Sequence, residues 1–396
     1  MMATSSTGEG YRKAWDPSKP GARFYGAYFA VLGVLLPFLG PFLASRGVAA
    51  VGIGLITAAV SLAKLFWAPF VAARVDRKGL VPGTLTAHLV LSIAATLAVL
   101  LVRSPWALGA AFLLAGAGYG VVLPLVEAAI MERIPPFSYG RLRLWGSAGF
   151  VAAAAVASVL VDRLGIRVFP WLLAGWMTVL VAAVLPFEHH GAPAHPAPES
   201  GRLTAGVWGL LILLTLHQVL HGPYYAFFSI HLESAGLGPG WVGALWSLGV
   251  LAELAAFFVG GSLERRWGLR RLLGAAILLG ALRWAVLSLP PALPVLAAAQ
   301  LGHAASFALA HLAGIQLVQR TAHPSAVRRA QALYSGMTFG LGVVAGAALA
   351  GPVYAALGGR GSFALSGLAG VALFLAWIPF STRLPRATLS AAGVRR

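Results

Sequence analysis

The sequence predicts an all-α membrane protein of twelve transmembrane helices, arranged as two pseudo-symmetric six-helix halves. Three observations predict it. Of 396 residues, 59% are hydrophobic and 10% charged, where soluble domains average about 25% charged. Apolar runs of about 20 residues, enough to cross a bilayer's hydrocarbon core, recur along the whole chain, and no run of short alternating segments suggests a β-barrel. The second half also echoes the first. Leu43-Ala-Ser-Arg-Gly47 resembles Leu232-Glu-Ser-Ala-Gly236, and Asp76-Arg77-Lys78-Gly79 has a counterpart in Glu264-Arg265-Arg266-Trp267-Gly268. Weak internal repeats of this kind mark transporters that bind solute between repeats and alternate by rocking.

Spans are expected near 24–45, 50–72, 81–102, 106–131, 142–162, 168–187, 205–232, 240–261, 271–289, 293–318, 327–356 and 361–381. They give a cytoplasmic N-tail (1–23), an N-terminal bundle (24–187), a linker (188–204), a C-terminal bundle (205–381) and a C-tail (382–396). The net charge of +18 is topological. All but seven of the 29 Lys and Arg fall in tails and loops on one side, against Arg46, Arg103, Arg163, Arg167 and Arg360 on the other and Lys64 and Arg283 within spans. The positive-inside rule then puts both termini in the cytoplasm of an inner-membrane protein and removes nucleic acid as a partner. The polar, basic first 23 residues argue against a cleaved signal peptide. The absence of cysteine excludes disulfides.

The first span carries Pro37 and Pro41, which loosen its hydrogen-bond ladder. The second carries Lys64 about a dozen residues from either end. A snorkelling side chain is the bland reading, but that depth favours a cation facing a cavity. Asp76, Arg77 and Gly79 then form a tight charged turn, matched in the second half by Glu264, Arg265 and Gly268, and both turns are candidate conformational switches.

The stretch Pro124–Phe150 joins the fourth and fifth spans through a proline-containing turn. Glu127 sits at one helix end, and Arg141 and Arg143 at the other. A helical hairpin would bring Glu127 beside Arg143, and ion pairs that persist in hydrocarbon face a bundle interior or a cavity. Arg141, Glu132 and Arg133 read as ordinary anchors. The fifth and sixth spans are Ala- and Val-rich scaffold. The segment that follows, rich in Pro, His and Ala, reads as a solvated linker, and its histidines as exposed rather than metal-binding.

Polar residues then concentrate within the membrane. The seventh span has His217, Gln218 and His221; the eighth has Glu253 near its middle; the ninth has Arg283; and the tenth has Gln300, His303, His311 and Gln316. A central Glu and a central Arg are costly unless partnered or wet, which points to a functional network. His303 fits such a network, or a single structural interhelical hydrogen bond. The pair His217 and His221, one turn apart, lacks the third ligand that zinc requires, so neither metal nor cofactor is expected.

These segments resemble the major facilitator superfamily, most closely the bacterial phenylpropionate permease group, which is related to lactose permease and the nucleoside–proton symporters. The resemblance rests on SYGRLRLWGSAGF, QVLHGPYYAFF, WSLGVLAEL, LRWAVLS and AQLGHAASFALAHLAGIQ, and spans about Phe24 to Phe380. It implies that Glu127 and Arg143 bind solute and that Phe150 is an aromatic stacking partner. It also implies that Glu253, Arg283 and His303 occupy the coupling positions. Two departures stand out. Ser306 replaces the acid that carries the proton in lactose permease, and Gln218 and His221 stand where its seventh-helix acids fall. Glu253 or a histidine would then carry any coupled proton. Lys64 matches a basic residue of the phenylpropionate branch, and a fixed cation suits an anionic solute. Tyr119, Tyr225 and Trp246 are the candidates to sandwich an aromatic ring.

The reading is a monomeric secondary transporter in the lipid bilayer, importing an aromatic or other small monocarboxylate with a proton. Its rivals are a sugar or nucleoside symporter, a hydrophobic-compound efflux pump, and a sensor or scaffold on the same fold. An enzyme is not expected: no nucleophile motif or metal motif appears.

Overall fold

The computed structural model describes residues 16–134, 136–189 and 201–384, and the side chains of all of these but 136–140. The N-tail to residue 15, most of the linker including His190 and His195, and the C-tail from residue 385 lie outside the described residues. Among the described residues all regular structure is helical.

In order, the first helices are α1 (Ser18–Ser45), α2 (Ala50–Lys78), α3 (Thr84–Ala98), α4 (Pro105–Met131), α5 (Pro136–Leu164) and α6 (Phe169–Glu188). They are followed by α7 (Ala205–Val219), α8 (Gly222–Ser234), α9 (Pro239–Trp267) and α10 (Leu269–Leu287). The last are α11 (Leu293–Leu301), α12 (Ala310–Thr321), α13 (Val327–Tyr334) and α14 (Val343–Arg383). Nine helical stretches among the described residues are long and apolar enough to span a membrane. Three features account for the difference from the twelve expected. The last stretch, Pro324–Arg383, breaks at Gly358, whose φ is 65°. Helix α3 is apolar but only 15 residues long. Helix α10 carries Arg270, Arg271 and Arg283 in 19 residues.

The repeat seen in the sequence is a repeat of helix caps. Val48 N–H reaches Leu43 O and Gly47 N–H reaches Ala44 O; Leu237 N–H reaches Leu232 O and Gly236 N–H reaches Glu233 O. Both are Schellman closures with glycine at positive φ, 73° and 78°. Ser45 and Ser234 even bond the same relative carbonyl, Phe42 O and His231 O. The charged motifs lie elsewhere than expected. Asp76–Lys78 and Glu264–Trp267 are the last turns of α2 and α9, and only Gly79 and Gly268 turn the chain. Basic side chains complement the negative helix C-terminus, so the helix runs on through them. The expected seventh span is likewise two helices. Pro223 cannot donate a backbone hydrogen bond and disfavours helix at the residue before it. A side chain at Gly222 would also strike the backbone of Gly346.

The chain divides into two compact units, Met1–Pro196 with Tyr225–Val250, and Ala197–Tyr224 with Leu251–Arg396. In the first unit, α4 lies between α2 and α3 on glycines. A Cβ at Gly116 would strike Val60 O, one at Gly118 His88 O, and one at Gly120 the stem of Lys64. Small residues let membrane helices approach to backbone distance. Two side chains tie helix ends. Arg46 donates to Val99 O and Val102 O beyond α3, and the Glu188 carboxylate accepts from Gly83 N–H (2.9 Å) and Thr86 N–H (2.7 Å) at its start. The second unit packs Leu210, Leu214, Leu272, Ile277, Leu317 and Trp377 into one apolar core.

Candidate functional site

The first unit holds two cationic centres with different surroundings. Arg143 on α5 lies 3.5 Å from the Glu127 carboxylate on α4. Tyr25 on α1 donates to Glu127 Oε1 at 2.9 Å. The Arg143 guanidinium also stands 4.5 Å from the ring centroid of Phe29 and 5.8 Å from that of Tyr25. Its charge is thus answered by a carboxylate and by ring faces, and at 44% side-chain exposure its remaining donors are accessible.

Lys64 is partly buried, and its ammonium sits 5.0 Å from the Tyr119 ring. Tyr119 is itself fixed: its hydroxyl donates to Tyr28 O at 2.8 Å, and the Tyr28 and Tyr119 rings stack at 4.4 Å. Among the described residues, Lys64 has no carboxylate partner. Tyr119 and Glu127 are eight residues apart on α4, so the two cationic centres are separated by about 12 Å along that helix.

The second unit builds a denser network. Arg283 on α10 is 2% exposed. It donates to Ala299 O (2.8 Å), Gln300 Oε1 (3.0 Å) and Ser306 Oγ (3.3 Å), and its guanidinium lies between the rings of Tyr224 (4.3 Å) and Trp284 (4.4 Å). Gln300 in turn donates to the Tyr224 hydroxyl at 3.1 Å. A guanidinium cannot be deprotonated in a protein, so these dipoles and ring faces solvate a permanent charge. Beside them, His303 Nε2 lies 3.8 Å from Glu253 Oε2, the His303 ring stacks on Phe307 at 5.3 Å, and buried His221 meets Trp284 edge-on at 4.8 Å.

The residues singled out in the sequence thus collect into Lys64 with Tyr119, Glu127 with Arg143, and Glu253 with His303, while Arg283 and His221 share Trp284. Gln218 is buried beside His217. The other three lie elsewhere in the first unit. Phe150 is buried, with its backbone against Gly33. Trp246 is buried, donates to Ser229 Oγ at 2.9 Å and packs on Phe228. Tyr225 is partly exposed, and it is Tyr224 that faces Arg283. Asp76 and Arg77 are exposed, and Arg77 bonds Ala73 O in its own helix. Glu264 accepts from Gln316 (2.9 Å) and Arg320 (2.6 Å), while Arg265 donates to Ser262 Oγ.

Tyr25, Tyr28, Phe29 and Glu188 escaped the sequence reading. The three aromatics lie at one end of an apolar span, where such residues read as interfacial anchors. Glu188 closes a helix beside a polar linker, where a carboxylate reads as solvated.

The arrangement can hold an anion against Lys64 or Arg143 and keep a titratable pair, Glu253 and His303, in a separate network. Residues 22–365 match the MFS_1 like family, and the chain belongs to it. It is a multi-pass membrane transporter of the major facilitator superfamily, a class that moves small molecules and is not enzymatic.

Among its relatives, the probable 3-phenylpropionic acid transporter of Escherichia coli is 31% identical over 349 residues, covering 84% of this chain and 90% of that protein. The maltose permease of Geobacillus stearothermophilus is 28% identical over 342 residues, covering 81% and 83%. In fold, the crystal structure of the nucleoside transporter NupG matches with a TM-score of 0.78 at 16% identity, over 93% of this chain and 99% of that one.

Proposed function

We propose that this transporter imports a small aromatic or other monocarboxylate, such as phenylpropionate, together with a proton. Twelve crossings in two six-helix bundles, 24–187 and 205–381, would alternate access to it in the inner membrane, with both termini cytoplasmic and the chain a monomer. One observation carries the choice of solute. Lys64 is a membrane cation with an aromatic ring against it and no carboxylate partner among the described residues, whereas Arg143 already has Glu127. A monocarboxylate with an aromatic tail supplies the missing charge and a ring to stack near Tyr119 and Tyr28. The probable phenylpropionic acid transporter among its relatives supports the same class. Glu253 and His303 are the proposed proton carriers, and Arg283, His221 and Gln218 are proposed to assist the coupling.

A sugar is the second reading, favoured by the maltose permease relative and by the accessible Glu127–Arg143 pair, which could bind hydroxyls. The test is proton movement in proteoliposomes containing an internal pH dye, on adding 3-phenylpropionate, maltose or a nucleoside. Acidification with the aromatic acid, beyond that of empty liposomes, is the expected result. A response to maltose or nucleoside alone would replace the monocarboxylate reading, and silence with all three would reopen efflux.

A further inference from the structure

Two stretches of the second unit leave the α-helical register, Ala304–Leu309 between α11 and α12 and Ser335–Gly342 between α13 and α14, and both are π-helical. Such turns recur at functional sites. These two border one cavity, whose polar lining is His217, Gln218, Ser306, His311, Tyr334 and Thr338. The space admits about one water-sized molecule.

His217 and Thr338 are each 4% exposed. Each also has a buried polar atom without a hydrogen-bond partner, His217 Nδ1 and Thr338 Oγ1. The tautomer of His217 follows from its other nitrogen. Nε2 lies 2.7 Å from Ser306 O; a carbonyl only accepts, so Nε2 carries the hydrogen and the neutral ring has a lone pair at Nδ1. A lone pair and a hydroxyl, both shut from solvent and both carried by residues that line one cavity, are the partners that a bound water needs.

We propose that this cavity binds a water joining His217 Nδ1 to Thr338 Oγ1, and that His217 accepts a proton through it, making a second protonation site besides the Glu253–His303 pair. Nδ1 takes one proton from the water as the water takes one from solvent, by way of the hydrogen-bonded His311 and Tyr334 (2.9 Å) on the same cavity. The ring gains one positive charge and the water is regenerated.

The ionisable groups around His217 are Arg283 on α10, which shares Ser306 with it, His303 before α12, His311 on α12, Tyr334 on α13, and His221 just past its own helix, 5.3 Å ring to ring. Arg283 and a charged His217 would repel, so the fixed guanidinium opposes protonation of the ring. The role of this site in transport rests on the proton-coupled reading above.

The test is ¹⁵N NMR of histidine-labelled protein in nanodiscs, with the His217 signal assigned by His217→Asn. The expected result is a reversible titration of His217 between about pH 5 and 8, with proton affinity lowered about tenfold in Thr338→Val and restored in Thr338→Ser. A His217 that stays an Nε2–H tautomer throughout that range overturns the site, as does a titration indifferent to Thr338→Val. Proton-driven uptake, measured separately, distinguishes the two layers: a titrating His217 in a protein that moves no protons would remove the coupling reading and leave the site standing.

Discussion

Lys64 and Glu253 are the two residues on which the proposed solute and its proposed coupling rest. Lys64 meets a tyrosine face and Glu253 meets a histidine, each on a different helix. If Glu253 is a proton carrier, Glu253→Gln should abolish gradient-driven accumulation while substrate exchange across the membrane persists within about threefold. Counterflow and proton-driven uptake in the same proteoliposomes check it, and normal accumulation by the mutant would remove Glu253 from the mechanism. At this scale the sequence was most informative about charges. Ionisable residues deep in apolar runs are few, and their cost makes them conspicuous. It was least informative about Tyr25, Tyr28 and Phe29, because an aromatic in an apolar helix looks the same whether it packs, anchors or carries a cation.

At the scale of elements, the Gly116-Ala117-Gly118-Tyr119-Gly120 stretch of α4 places the proposed anion site. Gly120 makes room for the Lys64 stem, whose Cβ and Cα would stand 3.1 and 3.3 Å from an added methyl. Gly120→Ala should therefore displace Lys64 from Tyr119. The expected outcome is a fivefold or greater rise in the transport KM for 3-phenylpropionate, with protein folded by thermal-shift assay within about 5 °C of wild type. An unchanged KM would show that the Lys64 position does not matter. Helix type and the glycine turns were legible from apolar run length and from the echoed Gly47 and Gly236. The π turns and the break at Leu220 and His221 were not, because a change of backbone register leaves the hydrophobic pattern almost untouched. Pro223 was the available signal. The helical path of Asp76–Lys78 was hidden for a different reason: clustered charge suggests a loop, yet basic residues also belong in a last helical turn.

At the scale of the whole molecule, composition and the length of the apolar runs pointed to a helical membrane protein, and the charge distribution predicted its orientation. The internal echo pointed to transporters because two copies of one helical unit carry two copies of the same caps. The proposed solute follows from Lys64, which we propose binds a carboxylate. The most direct measurement is calorimetric binding of 3-phenylpropionate and of its neutral amide to the purified protein and to Lys64→Ala. A hydrogen bond to a charged group contributes about 1.5–3 kcal/mol. Wild type should therefore prefer the acid over the amide by about tenfold or more, and Lys64→Ala should lose that preference while keeping its weak affinity for the amide. Equal binding of acid and amide by wild type, or an undiminished preference in Lys64→Ala, would rule out Lys64 as the carboxylate site.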